Sequence, residues 1–298
     1  MDDLAGARNG AFTSGLSVDE FLLTRDAGLA PAGFVAGSAV FQRGFVPNAP
    51  TRGDLTEVAD GRNYDGRDSS GGAELEALDH VAYTARDAAV ARMTAQADAV
   101  SADGIVGVTF TMTSPPEWAD GTAPPGLIDN SYPPELDVVE FTVTGTAVRH
   151  RDPRDRDSSR RVLDGGPFLS GLPGQDCWAL LRSGYQPAAV AMGYCAYRAS
   201  VASTEYRGRP REITGLTRAV YAARETAMRR LQEEAARLPS AEGVVGFQFH
   251  AAPHFTLGGA PGRGRSGPVM TFFATGTVVA RIPGAPAADP PTPVLRFS

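Results

Sequence analysis

The sequence predicts an α+β fold of tandem duplicated α-β-α-β-β units, each a small mainly antiparallel sheet with a long Ala-rich helix packed on it. Two observations carry that prediction. The chain matches itself along most of its length, and each copy joins one long stretch of helical period to stretches that read as strands. Its 298 residues suit two domains of ordinary size. With 42% hydrophobic and 21% charged residues, the composition is globular and excludes collagen, coiled coil and wholesale disorder.

The self-match falls on residues that shape backbone. Ser14-Gly15-Leu16 recurs as Ser170-Gly171-Leu172, and at the same spacing Gly28 meets Gly184, Pro31 meets Pro187 and Gly37 meets Gly193. Tyr83-Thr84-Ala85-Arg86-Asp87 recurs as Tyr221-Ala222-Ala223-Arg224-Glu225, and Gly104-Ile105-Val106-Gly107 as Gly243-Val244-Val245-Gly246. Last, Phe141 to Val148 lies against Phe272 to Val279. The copies are therefore 14–150 and 168–282, flanked by a flexible N-terminus (1–13), a charged linker (151–167) and a Pro-rich tail (283–298). Long Gly/Pro-rich loops, Ser114 to Glu135 and Pro253 to Pro268, occupy matching places.

Each copy opens with a short helix. Ser17 with Glu20 three residues on makes a capping box, Phe21-Leu22-Leu23 supply an apolar face, and Gly28 ends the helix. Pro173, Cys177-Trp178, Leu180-Leu181 and Gly184 repeat the plan. A strand follows, Gly33 to Phe41 and then Ala189 to Tyr197, whose interior Gly37 and Gly193 imply a bulge or a close backbone approach. The long helix of the first copy spaces Leu75, Leu78, Ala82, Ala85, Ala89, Met93, Ala97 and Val100 three and four apart. The second copy answers with Ile213, Leu216, Val220, Ala223, Ala227, Leu231, Ala235 and Leu238. Two further strands close each unit, Gly104 to Thr113 with Asp137 to Arg149, and Gly243 to Ala251 with Val269 to Ile282. Three strands leave two open edges, so the units are expected to pair edge to edge, between copies or between subunits, which predicts a homo-oligomer.

The Gly-Ile/Val-Val-Gly run after an Ala-rich helix, with a closing strand that ends in Gly-Thr-Ala/Val-Val, resembles the YbjQ-like heavy-metal-binding domain family. Ser17-Val18-Asp19-Glu20-Phe21-Leu22-Leu23 to Phe34-Val35-Ala36-Gly37-Ser38 is similar to the start of its tandem members. The resemblance covers both copies. It implies a small α+β domain that assembles into rings, pentameric in single-domain members, and a role with heavy metals. Neither copy has the clustered cysteines that a metal role would call for.

Charge and residue types narrow the chemistry. A net charge of -6 gives no electrostatic reason to expect nucleic acid as the main partner. All 28 basic residues are Arg, which excludes a lysine Schiff base and a P-loop lysine. Two cysteines without a C-x-x-C fit a reducing compartment, and an acidic start without an apolar region, together with no run of spanning length, points to the cytoplasm and away from membranes. The soft ligands are Cys177, Cys195, His80, His150, His250 and His254. Both cysteines align with apolar positions, Phe21 and Ala39, and read as buried hydrophobes. His80 and His150 align with Arg218 and Arg281, which reads as exposed surface. His250 and His254 have the i, i+4 spacing of a helical metal pair, but Pro253 between them and the preceding strand speak against a helix. Gly262-Arg263-Gly264-Arg265-Ser266-Gly267 fits G-x-G-x-x-G but precedes a strand, so it reads as a basic hairpin loop. Asp60, Asn63, Asp65 and Asp68 fail the EF-hand count, because Gly61 takes the first ligand position. Arg52-Gly53-Asp54 reads as a chance tripeptide, and Glu233-Glu234 as a solvated helix face.

No nucleophile elbow or zinc-protease motif occurs. The sequence thus predicts a non-enzymatic, cytoplasmic, oligomeric YbjQ-like protein with an assembly or small-ligand/metal-binding role. No cofactor and no catalytic, cofactor-binding or metal residue is assigned. A heavy-metal protein using His250, His254 or the cysteines, and an enzyme with the long loops as lids, are the alternatives.

Overall fold

A reciprocal cap starts the first helix, α1 (Val18–Asp26). The Ser17 hydroxyl accepts from the Glu20 N–H, and the Glu20 carboxylate accepts from the Ser17 N–H at 2.8 Å. Gly28, at φ +82°, turns the chain out of the helix, as Gly184 does at +80°. The computed structural model describes residues 13–42, 72–113, 138–162, 166–199, 212–254 and 269–285. After α1 come β1 (Leu29–Gln42), β2 (Ala73–Glu74), α2 (Glu76–Ala99), β3 (Gly104–Thr113), β4 (Val138–His150) and α3 (Pro153–Val162). The second half holds β5 (Phe168–Leu169), α4 (Gly174–Arg182), β6 (Tyr185–Arg198), α5 (Thr214–Ala235), β7 (Ala241–His254) and β8 (Val269–Arg281).

Two four-stranded sheets result, in the orders β1-β4-β3-β5 and β2-β6-β8-β7. All pairings are antiparallel except the short parallel β3–β5 pair. The fold is α+β, as the sequence predicts. Corresponding irregularities recur in both halves: β1 and β6 slip register after Pro31 and Pro187, and β3 and β7 bulge between Val106 and Thr109 and between Val245 and Gln248. Gly107 and Gly246 take positive φ in those bulges.

The Ala stripes do what their period implies. Ala82, Ala85, Ala89, Met93 and Ala97 of α2 are buried on the first sheet, and Ala219, Ala223, Ala227, Leu231 and Ala235 of α5 on the second. Small side chains bring helix and sheet so close that a Cβ at Gly37 would overlap the Ala89 carbonyl, and one at Gly193 the Ala227 carbonyl. The close-approach reading of these glycines holds.

The halves are joined by more than edges. β5, from the start of the second half, extends the first sheet, and β2, from the first half, extends the second. In addition α2 is held between two sheets, since Val190, Met192, Tyr194 and Ala196 on the outer face of β6 share its core cluster. The layers run first sheet, α2, second sheet, α5. α1 and α4 pack on each other at one side.

Two local expectations change. The mixed-charge run read as an exposed linker is helical over Pro153–Val162, and Arg156 reaches the buried Asp103 at 2.6 Å. A proline at the first helical position and a buried carboxylate awaiting a cation give that helix a place to dock. His150, expected on the surface, is half-buried beside Phe168 because its own N–H is tied to Asp103 at 2.9 Å, and burial lowers its imidazole pKa. The calcium-like Asp60 run, Arg52-Gly53-Asp54 and the Gly262–Gly267 loop lie outside the described residues.

Candidate functional site at the joint between the halves

The polar chemistry of the molecule gathers where α2 crosses β6. α2 carries a second stripe besides its alanines: Asp79, Tyr83 and Arg86, spaced four and three apart, point to the second half. The Asp79 carboxylate accepts from the Ala196 N–H at 2.7 Å, and the Tyr83 hydroxyl accepts from the Tyr194 N–H at 3.0 Å. Arg86 donates to both oxygens of Glu234, at 2.6 and 2.8 Å. The backbone N–H groups of Tyr194 and Ala196 on β6 are thus satisfied by side chains from the other half.

From the opposite side comes Arg230 of α5. Its guanidinium donates to Asp79 at 2.5 Å, to the Tyr194 carbonyl at 2.8 Å and to Glu74 of β2. Burial pushes the Asp79 carboxyl up to about 8, and the Glu74 carboxyl beside it acts in the same direction, against Arg230. Burial opposes the charge on Arg230 too, but Asp79 and Glu74 together hold its pKa above the ordinary value. Burial and the facing Glu74 carboxyl thus favour the protonated form of Asp79 in the folded chain.

Cys195 completes this cluster, its sulfur within 4.8 Å of the Glu74 and Asp79 oxygens. Two carboxylates and a sulfur invite the question of a metal. The residues do not fit one: the guanidinium already occupies the cation position, and burial and the neighbouring carboxylates raise the Cys195 thiol, keeping it protonated. Cys177 is equally inert, buried with Leu172 and Phe168 and pushed up to about 12. Both cysteines are buried hydrophobes, as their aligned positions imply. His80 and His250 are exposed, and the side chain of His254 lies outside the described residues. The soft ligands of the sequence are therefore scattered across different clusters, except Cys195.

Sequence reasoning missed the joint. Glu233-Glu234 reads as a solvated face, yet only Glu233 is one, paired with Arg229 along the helix. Glu234 is half-buried on Arg86. The signal was present in the matching Tyr83…Arg86 and Tyr221…Arg224, polar residues repeated in both copies at positions that helical period alone assigns to solvent.

Residues 65–151, which include α2, β3 and β4, match the YbjQ family, described as "Putative heavy-metal-binding". Over 274 residues the chain is 34% identical to the encapsulin nanocompartment protein Rv1762c of Mycobacterium tuberculosis, covering 88% of this chain and 89% of that protein. The chain belongs to the family of that protein. The likeness spans both halves and not the YbjQ-like segment alone. Among the described residues no helix is long and apolar enough to cross a membrane.

Proposed function

We propose that the chain is a self-assembling, non-enzymatic component of a cytoplasmic protein nanocompartment, built from two tandem YbjQ-like copies over 14–150 and 168–282. The observation that carries this reading is the placement of exposed apolar side chains. Phe34 and Val40 stand on the outer face of the first sheet, and Tyr221, Phe247 and Phe249 at the far end of the stack. Large apolar groups at both ends suit a surface covered by other protein. The repeated bulges and close glycine contacts support the tandem reading, and the name of the relative supports the compartment. The Arg230-filled cluster argues for a structural joint in preference to a metal centre.

Light scattering on the purified full chain, with metal content measured on the same peak, tests the proposal. A discrete multimer without stoichiometric metal is expected. A monomer at all concentrations overturns the assembly role, and a stoichiometric ion lost on Cys195→Ala overturns the reading of the cluster as purely structural.

A further inference from the structure

We propose that one chain docks on the next head to tail through the same contacts that join its own halves, α5 and β7 of one meeting β1 and the 13–16 segment of the other. This rests on the self-assembly reading and names its surfaces. Each half of the internal joint has a counterpart at a free end of the chain.

At the joint, α2 offers Tyr83, Arg86 and, just before it, Glu74. Their counterparts at the far end are Tyr221, Arg224 and Glu212, and all three are exposed, Tyr221 to 61%. The surface α2 meets is the outer face of β6, where Met192, Tyr194 and Ala196 are buried. The counterparts on β1 are Ala36, Ser38 and Val40, and here Val40 is 61% exposed. What one end lacks, the other presents.

The receiving surface is also polarised in advance. Inside the chain, Glu234 accepts from the Met192 N–H and Arg230 donates to the Tyr194 carbonyl. At the free end, Gln96 accepts from the Ala36 N–H at 3.0 Å, and Arg92 donates to the Ser38 carbonyl. Gln96 and Arg92 occupy the places of Glu234 and Arg230. Arg224 of a neighbour would reach Gln96 as Arg86 reaches Glu234, and Glu212 would reach Arg92 as Glu74 reaches Arg230.

The sheet edges agree. β3 is closed by the second half: Gly107 N–H donates to the Leu172 carbonyl at 3.3 Å, Val108 N–H to Ser170 at 2.8 Å, and Ser170 N–H to Ile105 at 2.9 Å. β7 repeats the bulge of β3 but ends its sheet among the described residues, and a sheet edge of that kind accepts a strand. The segment to fill it is preformed. Thr146 fixes Gly15 N–H at 3.1 Å as Thr277 fixes Gly171 N–H at 2.9 Å, and Ser14 and Ser170 each accept from the N–H two residues on. An interface whose two surfaces differ is heterologous, so chains add in one direction, as a ring where the rotation between neighbours closes and as an open row where it does not.

Solution mass of the full chain tests this. Tyr221→Asp spoils one end and Val40→Asp the other, both at exposed side chains, with circular dichroism to check that the fold survives. Each variant alone is expected to fall to the 31.2 kDa single chain. Mixed in equal amounts they should form a dimer only, because one sound end of each kind is left. Arg92→Glu and Glu212→Arg should each reduce assembly, and the two changes together restore it. If the wild type assembles and these folded variants assemble equally well, the interface lies elsewhere and this inference fails alone. If the wild type is itself monomeric, the self-assembly reading fails with it.

Discussion

β3 and β7 have the same bulge, with a positive-φ glycine in the same place, yet they differ in their exposure to water. Val106 of β3 is buried with Phe168 of β5 and Cys177 of α4, and Val108 in the core around α2, whereas Val245 and Phe247 of β7 are 38% and 43% exposed. The same contrast separates Tyr83 from Tyr221 and Ala196 from Val40. Backbone geometry in this molecule is set within each half, while burial is set by whatever stands next to it. The second half supplies that neighbour for β3 and Tyr83, the first half supplies it for Ala196, and nothing within the described residues supplies it for β7, Tyr221 or Val40.

The largest expected break in that comparison is at the two matching arginines. Arg230→Ala strips Glu74 and Asp79 of their cation and should cost about 3 kcal/mol, read from denaturant unfolding, as is typical when one partner of a buried pair is removed. Arg92→Ala loses only an exposed bond to the Ser38 carbonyl and should lower the unfolding midpoint of the dilute chain far less. Equal losses at both sites would show that Arg92 already has an equivalent partner within one chain, and the contrast between the halves would collapse.

Contacts internal to each half should, by contrast, respond alike. Thr146 and Thr277 are both buried, and each accepts the N–H of the glycine that precedes a short helix by two or three residues. Replacing either with Val leaves a backbone donor without its partner, at about 1–3 kcal/mol. Thermal unfolding of the two variants should give shifts of similar size. A loss confined to Thr277→Val would mean that the second half holds the stability of the whole.

These pairs also show what could be read from the sequence. The Ser17–Glu20 cap, the Ala stripes and the tight glycines are local or period-bound, so they were legible residue by residue. Asp79, Tyr83 and Arg86 were not, because a helix with sheets on both sides needs a second stripe, and in this chain that stripe is polar. Its groups satisfy β6 backbone amides, a requirement that arises only once the second sheet is in place. The helix over 153–162 was hidden for a related reason: its docking depends on Asp103, buried by strands far away in sequence.

The proton held at the joint gives a smaller handle. Asp79 titrates near 8 in the folded chain against 3.8 for the ordinary side chain, so the folded state binds the extra proton and this contribution is lost as pH rises toward 8. Glu20, lowered by the Ser17 N–H, acts only in acid, where its contribution disappears as pH falls below the usual carboxylate range. Between pH 6 and pH 9 the midpoint temperature should therefore fall, on the order of 5 °C. Glu74→Gln removes the lesser of the two causes and should reduce that slope, whereas Asp79→Asn should abolish it. A slope that survives Asp79→Asn would place the titrating group outside the cluster.

Tyr83 and Tyr221 give the finest version of the comparison, since each can lose one oxygen and keep its ring. The Tyr83 hydroxyl is half-buried and accepts from Tyr194 N–H, so Tyr83→Phe orphans an amide on a covered strand. The cost should be about 1 kcal/mol, seen as a lower unfolding midpoint at every protein concentration. Tyr221→Phe removes a hydroxyl that faces solvent in the single chain, and its midpoint should match the wild type when the protein is dilute. At high concentration the two should separate, because the same hydroxyl would then accept from Ser38 N–H of the next chain, and Tyr221→Phe should need more protein to reach the same mass. The concentration dependence, more than the size of either shift, distinguishes a contact made within the chain from one made between chains.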